Sequence, residues 1–87
     1  MFRVGKVLNC YQKIGVTIVE ISGSLTVGDK IKIYKDGECL LTQEITEIRV
    51  NQTKIPFAKP KDVVALVLIN EVPKGSEIYK ISQLGDR

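Results

Sequence analysis

Hydrophobic and polar residues alternate over short stretches of this chain, and glycine, proline or small polar residues separate the stretches. Between Lys30 and Tyr34, the polar residues Lys30, Lys32 and Tyr34 share one side, and Ile31 and Ile33 share the other. A repeat of two residues is typical of a β-strand with one face toward the core. No apolar residues follow helical spacing over about ten residues or more. The pattern therefore predicts an all-β domain.

Similar stretches predict the other strands, and turn residues predict how they connect. Gly28 and Asp29 predict a corner that follows two inward residues, Leu25 and Val27. An Asp-Gly pair at Asp36 predicts a tight hairpin. The further strands are predicted over Phe2–Tyr11, Ile14–Ser22, Cys39–Asn51, Asp62–Asn70 and Ser76–Ile81, with a short strand around Ile55 and Phe57. Gly5 predicts a bulge or a close approach of two backbones, and a second bulge is predicted near Thr46 and Glu47.

The length of 87 residues fits one domain, residues 1–87, with a tail at 82–87 that is expected to fray. Apolar residues make up 44% of the chain and aromatic residues only 6%, so valine, isoleucine and leucine must form the core. In so small a chain, closure of the sheet removes exposed strand edges. We therefore predict a small closed antiparallel β-barrel of six or seven strands.

The chain offers little catalytic or metal-binding chemistry. It has no histidine, which excludes Cys–His and Ser–His–Asp arrangements. Its two cysteines, Cys10 and Cys39, are isolated, so we expect reduced, partly buried thiols rather than a disulfide or a zinc site. We predict a non-enzyme without cofactors. Neither a signal peptide nor a run of about 20 apolar residues is present, which predicts a cytoplasmic protein with no membrane partner.

The segment 23–33, Gly-Ser-Leu-Thr-Val-Gly-Asp-Lys-Ile-Lys-Ile, resembles the G-x-L-x-x-G-D-x-I-x-I signature of domain 2 of translational GTPases such as elongation factor Tu. The chain departs from the family pattern at Lys61 and Ala65, where glycine is usual. Other pieces of the pattern follow in the family's order, at Val4–Val7, Gln43–Ile48, Ala58–Leu66 and Val72–Ile78, so that the resemblance extends from Arg3 to Ile81.

The resemblance implies an elongation factor Tu domain 2-like barrel. It does not imply GTPase activity, because the chain has no GxxxxGK[ST] loop to hold phosphates. Similar barrels occur as small elongation-factor-like proteins and at the C-terminus of some peptidase-like RNA-modification enzymes. By analogy, these relatives imply a translation-linked or RNA-linked role.

Basic residues suggest a surface for phosphate contacts with RNA or the ribosome. The net charge of +3 permits such a partner without requiring one. The alternative is that these lysines only keep strand faces solvated and block aggregation. The candidate nucleic-acid-binding residues are Arg3, Lys6, Lys30, Lys32, Tyr34, Lys54, Lys59 and Lys61.

A second candidate surface is the row Val63, Ala65, Val67 and Ile69, which faces outward if the alternate residues 64, 66 and 68 face the core. An outward apolar row often marks a partner surface. The alternative is that the Cys39–Asn51 strand or the 54–59 loop covers it. We predict a non-catalytic binding module for RNA, the ribosome or a translation-related protein; the alternative is a protein-interaction or oligomerisation barrel with no nucleic-acid role, and a homo-oligomer is compatible with both.

Overall fold

The computed structural model describes residues 2–81, which form β-strands and one short turn of 3-10 helix at Gln12–Ile14. The tail predicted at 82–87 lies outside the described residues. Within residues 2–81, no helix is long and apolar enough to cross a membrane. The strands are β1 (Phe2–Tyr11), β2 (Val16–Ile21), β3 (Leu25–Thr26), β4 (Lys30–Lys35), β5 (Glu38–Glu44), β6 (Ile48–Val50), β7 (Thr53–Ile55), β8 (Phe57–Ala58), β9 (Val63–Val67) and β10 (Glu77–Lys80).

Eight strands form one antiparallel sheet in the order β5-β4-β10-β1-β2-β9-β6-β7, and β3 pairs with β8 separately. This architecture confirms the all-β, antiparallel prediction. In the part of the chain that the structure describes, β5 and β7 are edge strands and do not pair with each other. The predicted closed barrel of six or seven strands is therefore not found.

The segment 39–51 is two strands, not the single long strand that the sequence predicted. β5 pairs with β4, whereas β6 pairs with β9 and β7. Ile45 lies between them and is buried; its N–H donates to the Asp29 carbonyl and its carbonyl accepts from the Gly28 N–H, each at 2.8 Å. These bonds tie the chain to the corner before β4, so a break replaces the predicted bulge.

Aliphatic side chains form the core. Ile31 and Ile33 are fully buried, which confirms the alternation predicted for β4. Leu25 is buried too, but Val27 is 41% exposed because it lies in the turn between Thr26 and Asp29, so its inward assignment was wrong. The buried apolar residues are Val4, Val7, Val19, Ile21, Leu25, Ile31, Ile33, Leu41, Ile45, Ile48, Ala58, Val64, Leu66, Val72 and Ile78.

Two hairpins use turns in which both central residues have positive φ. Asp36 and Gly37, with φ of 52° and 82°, connect β4 to β5 as predicted. Asn51 and Gln52, with φ of 52° and 68°, connect β6 to β7. This geometry is the type I′ turn, which fits the twist of the flanking strands. The second hairpin was not predicted because Gln52 stands where glycine is the usual signal.

Candidate functional site

The outer side of β9 carries exposed aliphatic side chains. Val63 is 51% exposed and Val67 37%, while Val64 and Leu66, which alternate with them, are buried. Ala65 is half-buried, and Ile69 just beyond the strand is 69% exposed. Within residues 2–81, therefore, neither the segment 39–51 nor the loop 54–59 buries this row.

β2 and the end of β1 widen the row into a surface. Directly opposite residues of an antiparallel pair project to the same side of the sheet. The register places Val16 opposite Val67 and Ile18 opposite Ala65, and Tyr11 lies opposite Val16. We call this surface the apolar face; it comprises Tyr11, Val16, Ile18, Val63, Ala65, Val67 and Ile69. The contribution of β2 was missed, although Thr17, Val19 and Ile21 face inward and so leave Val16 and Ile18 outward.

Charged residues border the apolar face. Arg49 lies opposite Ala65 in the register, and Glu20 lies opposite Val63. Glu47 pairs with the Arg49 guanidinium and lies 3.9 Å from the Lys54 ammonium. An apolar centre with a polar rim is the usual construction of protein–protein interfaces.

One side chain links the apolar face to the opposite edge of the sheet. Gln43 of β5 accepts a hydrogen bond from the Ile69 N–H, with 2.8 Å between Oε1 and N. Its Nε2 donates to the Val67 carbonyl at 3.3 Å. No local pattern in the sequence indicates a role for Gln43, since its partners lie 24 and 26 residues away.

The predicted basic residues on β1 and β4 share an outer face, but carboxylates interrupt it. Arg3 forms an ion pair with Glu77, with 3.0 Å between Nη1 and Oε2. Lys6 lies opposite Glu77 on one side and Glu20 on the other, and Lys30 lies opposite Glu44. Lys32 lies opposite Tyr79, and Tyr34 lies opposite Glu77.

Of the other predicted basic residues, Lys61 reaches this group and Lys54 lies far from it. Lys61 and Lys59 belong to the turn before β9, where Lys61 lines a shallow groove of about 380 Å³ with Arg3 and Lys6. Lys54 lies on β7, at the far edge of the sheet from β5. The eight candidate residues thus do not form one continuous basic surface.

Two tyrosines, Tyr34 and Tyr79, line an open groove of about 570 Å³ next to the β4–β5 hairpin. The rings of Tyr34 and Tyr79 meet edge to face, with centroids 5.5 Å apart and an angle of 83°. The Tyr79 hydroxyl donates to Glu77 Oε1 at 3.2 Å. That hydrogen bond, with desolvation and the nearby negative charge, raises the pKa of Tyr79.

The two cysteines are free. Cys10 is half-buried, with its sulfur 3.5 Å from the Thr17 hydroxyl, whereas Cys39 is exposed and so departs from the expected partial burial. No group of three or more cysteine, aspartate or glutamate side chains suited to a metal ion occurs in the described range 2–81.

Comparisons match this chain to parts of proteins that are described as a protease or a peptidase. No family model matches the chain. It is 25% identical over 81 residues to an uncharacterized protease, MJ0090, of Methanocaldococcus jannaschii; the match covers 93% of this chain and 20% of that protein. The chain therefore spans about a fifth of the length of its curated relative.

Two solved structures share the fold. They are the C-terminal domain of a "putative U32 peptidase" of Geobacillus thermoleovorans and its selenomethionine variant, with TM-scores of 0.84 and 0.83. Each is 18% identical, and the alignments cover 93% and 90% of this chain and 93% and 98% of those chains.

These similarities correct the resemblance proposed from sequence. Both the relative and the solved structures belong to proteins described as peptidases, so the assignment to domain 2 of elongation factor Tu was wrong. The predictions of a translation factor and of RNA binding, which depended on that assignment, were therefore wrong too. The carboxylates that lie among the basic residues agree with this correction. The chain has the fold of the C-terminal domain of the Geobacillus protein.

Proposed function

We propose that this chain is a non-catalytic accessory module that docks on a peptidase-type protein through the apolar face. The Geobacillus fold relative is a C-terminal domain of such a protein, and MJ0090 has about four fifths of its length beyond the matched region. The catalytic residues would then lie outside this module, either on the same polypeptide or on a separate one. The absence of histidine from the chain supports a non-catalytic role.

The observation that carries this proposal is the exposure of Val63, Val67 and Ile69 on one side of the sheet. Full burial of an aliphatic side chain stabilises a complex by about 1.5–3 kcal/mol, so a half-exposed valine contributes about 1 kcal/mol. A surface of several such residues can therefore offset part of the entropic cost of association. The border carries both signs of charge, since Glu47 pairs with Arg49 and Lys54, and Glu20 lies opposite Val63. It therefore favours a partner whose contact region is apolar with both acidic and basic residues around it.

The experiment uses the full chain and the catalytic region of a U32-type peptidase encoded by the same genome. Calorimetry measures their affinity for wild type and for Val63→Lys and Val67→Lys. We expect Val67→Lys to abolish binding, because it places a charge among apolar side chains. Val63→Lys should weaken binding less, because Val63 lies opposite Glu20 at the border. Thr42→Lys is the matched control, since Thr42 is an exposed β-strand position on β5, outside the apolar face.

Circular dichroism and urea unfolding must show that the variants remain folded. Binding of folded Val67→Lys at wild-type affinity would refute docking through this face. Light scattering of the chain alone tests whether the apolar face binds a second copy of the chain instead. A stable homodimer that Val67→Lys dissociates would show that the partner is this second copy and not the peptidase.

A further inference from the structure

We infer that Gln43 is the positioning residue of the apolar face, fixing the backbone of Ile69 from the opposite edge strand. The inference rests on the proposed docking function, and it assigns a role to a residue that does not belong to the face itself. Gln43 lies on β5 opposite the buried Ile31, so its side chain starts from the inner side of the sheet.

The carboxamide of Gln43 takes the place of a missing strand pairing. Its Oε1 accepts from the Ile69 N–H at 2.8 Å, and its Nε2 donates to the Val67 carbonyl at 3.3 Å. A neighbouring β-strand offers the same combination of one acceptor and one donor to residues two apart. Nε2 also lies 3.2 Å from the Glu44 carbonyl, which orients the amide. The side chain thus bridges β5 and the end of β9, which do not pair in the described part of the sheet.

This bridge matters for docking because Ile69 lies beyond the last pairing of β9 with β2, at Val67 and Val16. Ile69 is also among the most exposed side chains of the apolar face. A segment that is already ordered binds more tightly than one that must be ordered on binding. Gln43 therefore contributes to affinity through Ile69, without touching the partner.

Gln43→Met and Gln43→Glu separate hydrogen bonding from space filling. Methionine keeps the approximate length of the side chain but loses both hydrogen bonds, whereas the glutamate keeps the acceptor for the Ile69 N–H. Amide hydrogen exchange in the isolated chain is the first measurement, with the Ile33 amide as the reference for global opening. We expect Ile69 to exchange about five- to tenfold faster in Gln43→Met. In Gln43→Glu we expect exchange only about two- to threefold faster, because the carboxylate keeps the acceptor for the Ile69 N–H but loses the donor to the Val67 carbonyl.

A role in filling space predicts the reverse order, with Ile69 better protected in Gln43→Met than in Gln43→Glu, and that result would overturn the inference. Because exchange needs no partner, it remains decisive even if docking to the peptidase fails.

The second measurement is affinity for the catalytic region of the U32-type peptidase. We expect Gln43→Met to bind about three- to tenfold more weakly. Ile69→Ala should then weaken binding less in the Gln43→Met background than in wild type, because the two residues act as a unit. Strictly additive losses, with stability unchanged, would show that Gln43 does not act through Ile69.

Discussion

The Asp62 carboxylate accepts a hydrogen bond from the backbone N–H of Lys59, with 3.0 Å between Oδ2 and N. In return, the Asp62 N–H donates to the Lys59 carbonyl at 3.1 Å. The turn has Pro60 in its second position and Lys61 in its third, where φ is +77°. A positive φ at the third position alone is characteristic of a type II turn, which normally needs glycine there.

The corner before β4 is built in the same way. Asp29 accepts from the Thr26 N–H at 2.8 Å, and the Asp29 N–H donates to the Thr26 carbonyl at 3.0 Å. The third position is Gly28, with φ of +99°. In both turns an aspartate carboxylate accepts from the first residue's N–H, and the third residue has a positive φ. Glycine occupies that third position in one turn, whereas Lys61 adopts the same backbone conformation in the other.

We expect Lys61→Gly to stabilise the protein by about 0.5–1 kcal/mol. Glycine removes a left-handed strain of about 1–2 kcal/mol, partly offset by the greater freedom of the unfolded chain. The midpoint of urea unfolding should rise with no change in its slope. The reverse substitution, Gly28→Lys, is the control and should destabilise the fold by about 1–2 kcal/mol. A lower midpoint for Lys61→Gly would show that the lysine side chain itself stabilises the turn.

The hairpin between β6 and β7 offers an independent test of the same physics. Gln52 has φ of 68° at the second central position, where β4–β5 has Gly37. Gln52→Gly creates the Asn-Gly pair that type I′ turns prefer, and should add about 0.5–1 kcal/mol to the free energy of unfolding. Thr53→Gly, one residue later in β7, should instead destabilise. Loss of stability in Gln52→Gly would contradict the turn assignment.

Local chemistry was predictable from the sequence, and long-range pairing was not. The alternation around Ile31 and the Asp-Gly turn at Asp36 each depend on a few adjacent residues, and both predictions were correct. The break at Ile45 depends on backbone bonds to Gly28 and Asp29, which no local pattern records. The closed barrel was predicted because closure would remove exposed strand edges, but β5 and β7 remain edge strands in residues 2–81, and no local pattern records which strands pair.

The apolar row could be predicted from local alternation, whereas the charge environment of the basic residues could not. Alternation was enough to place Val63 and Val67 outside once their neighbours were assigned to the core. The basic residues were also placed on outer faces, but their opposing carboxylates come from other strands, and the strand register is not visible in the local sequence. Arg3 and Glu77, for example, are 74 residues apart. Charge counted along the chain therefore overstated the basic character of that face.

Close packing at Gly5 gives a third prediction. The register between β1 and β10 shifts between Arg3 and Gly5, which confirms the expected bulge. A Cβ at Gly5 would lie 2.9 Å from Val19 Cγ1 and 3.0 Å from the Glu20 carbonyl oxygen. We expect Gly5→Ala to destabilise the fold by about 1–3 kcal/mol, as overpacking typically does. In urea unfolding, adding Val19→Ala should cost less in the Gly5→Ala background than in wild type; full additivity would argue against this clash.

The fourth prediction concerns the phenol of Tyr79. Its pKa is raised above the ordinary 10.0, first by the hydrogen bond to Glu77 and then by desolvation and negative charge. The protonated phenol is thus favoured in the folded state, so its stabilising contribution is complete below pH 10.0 and disappears as pH rises through the raised pKa. Glu77→Gln should move the ionisation of Tyr79, and the associated loss of stability, to lower pH. Ultraviolet absorbance of tyrosinate measures this shift, and Tyr79→Phe identifies which phenol is responsible for the signal. An unchanged titration of Tyr79 in Glu77→Gln would mean that the Glu77 carboxylate does not control the pKa of Tyr79.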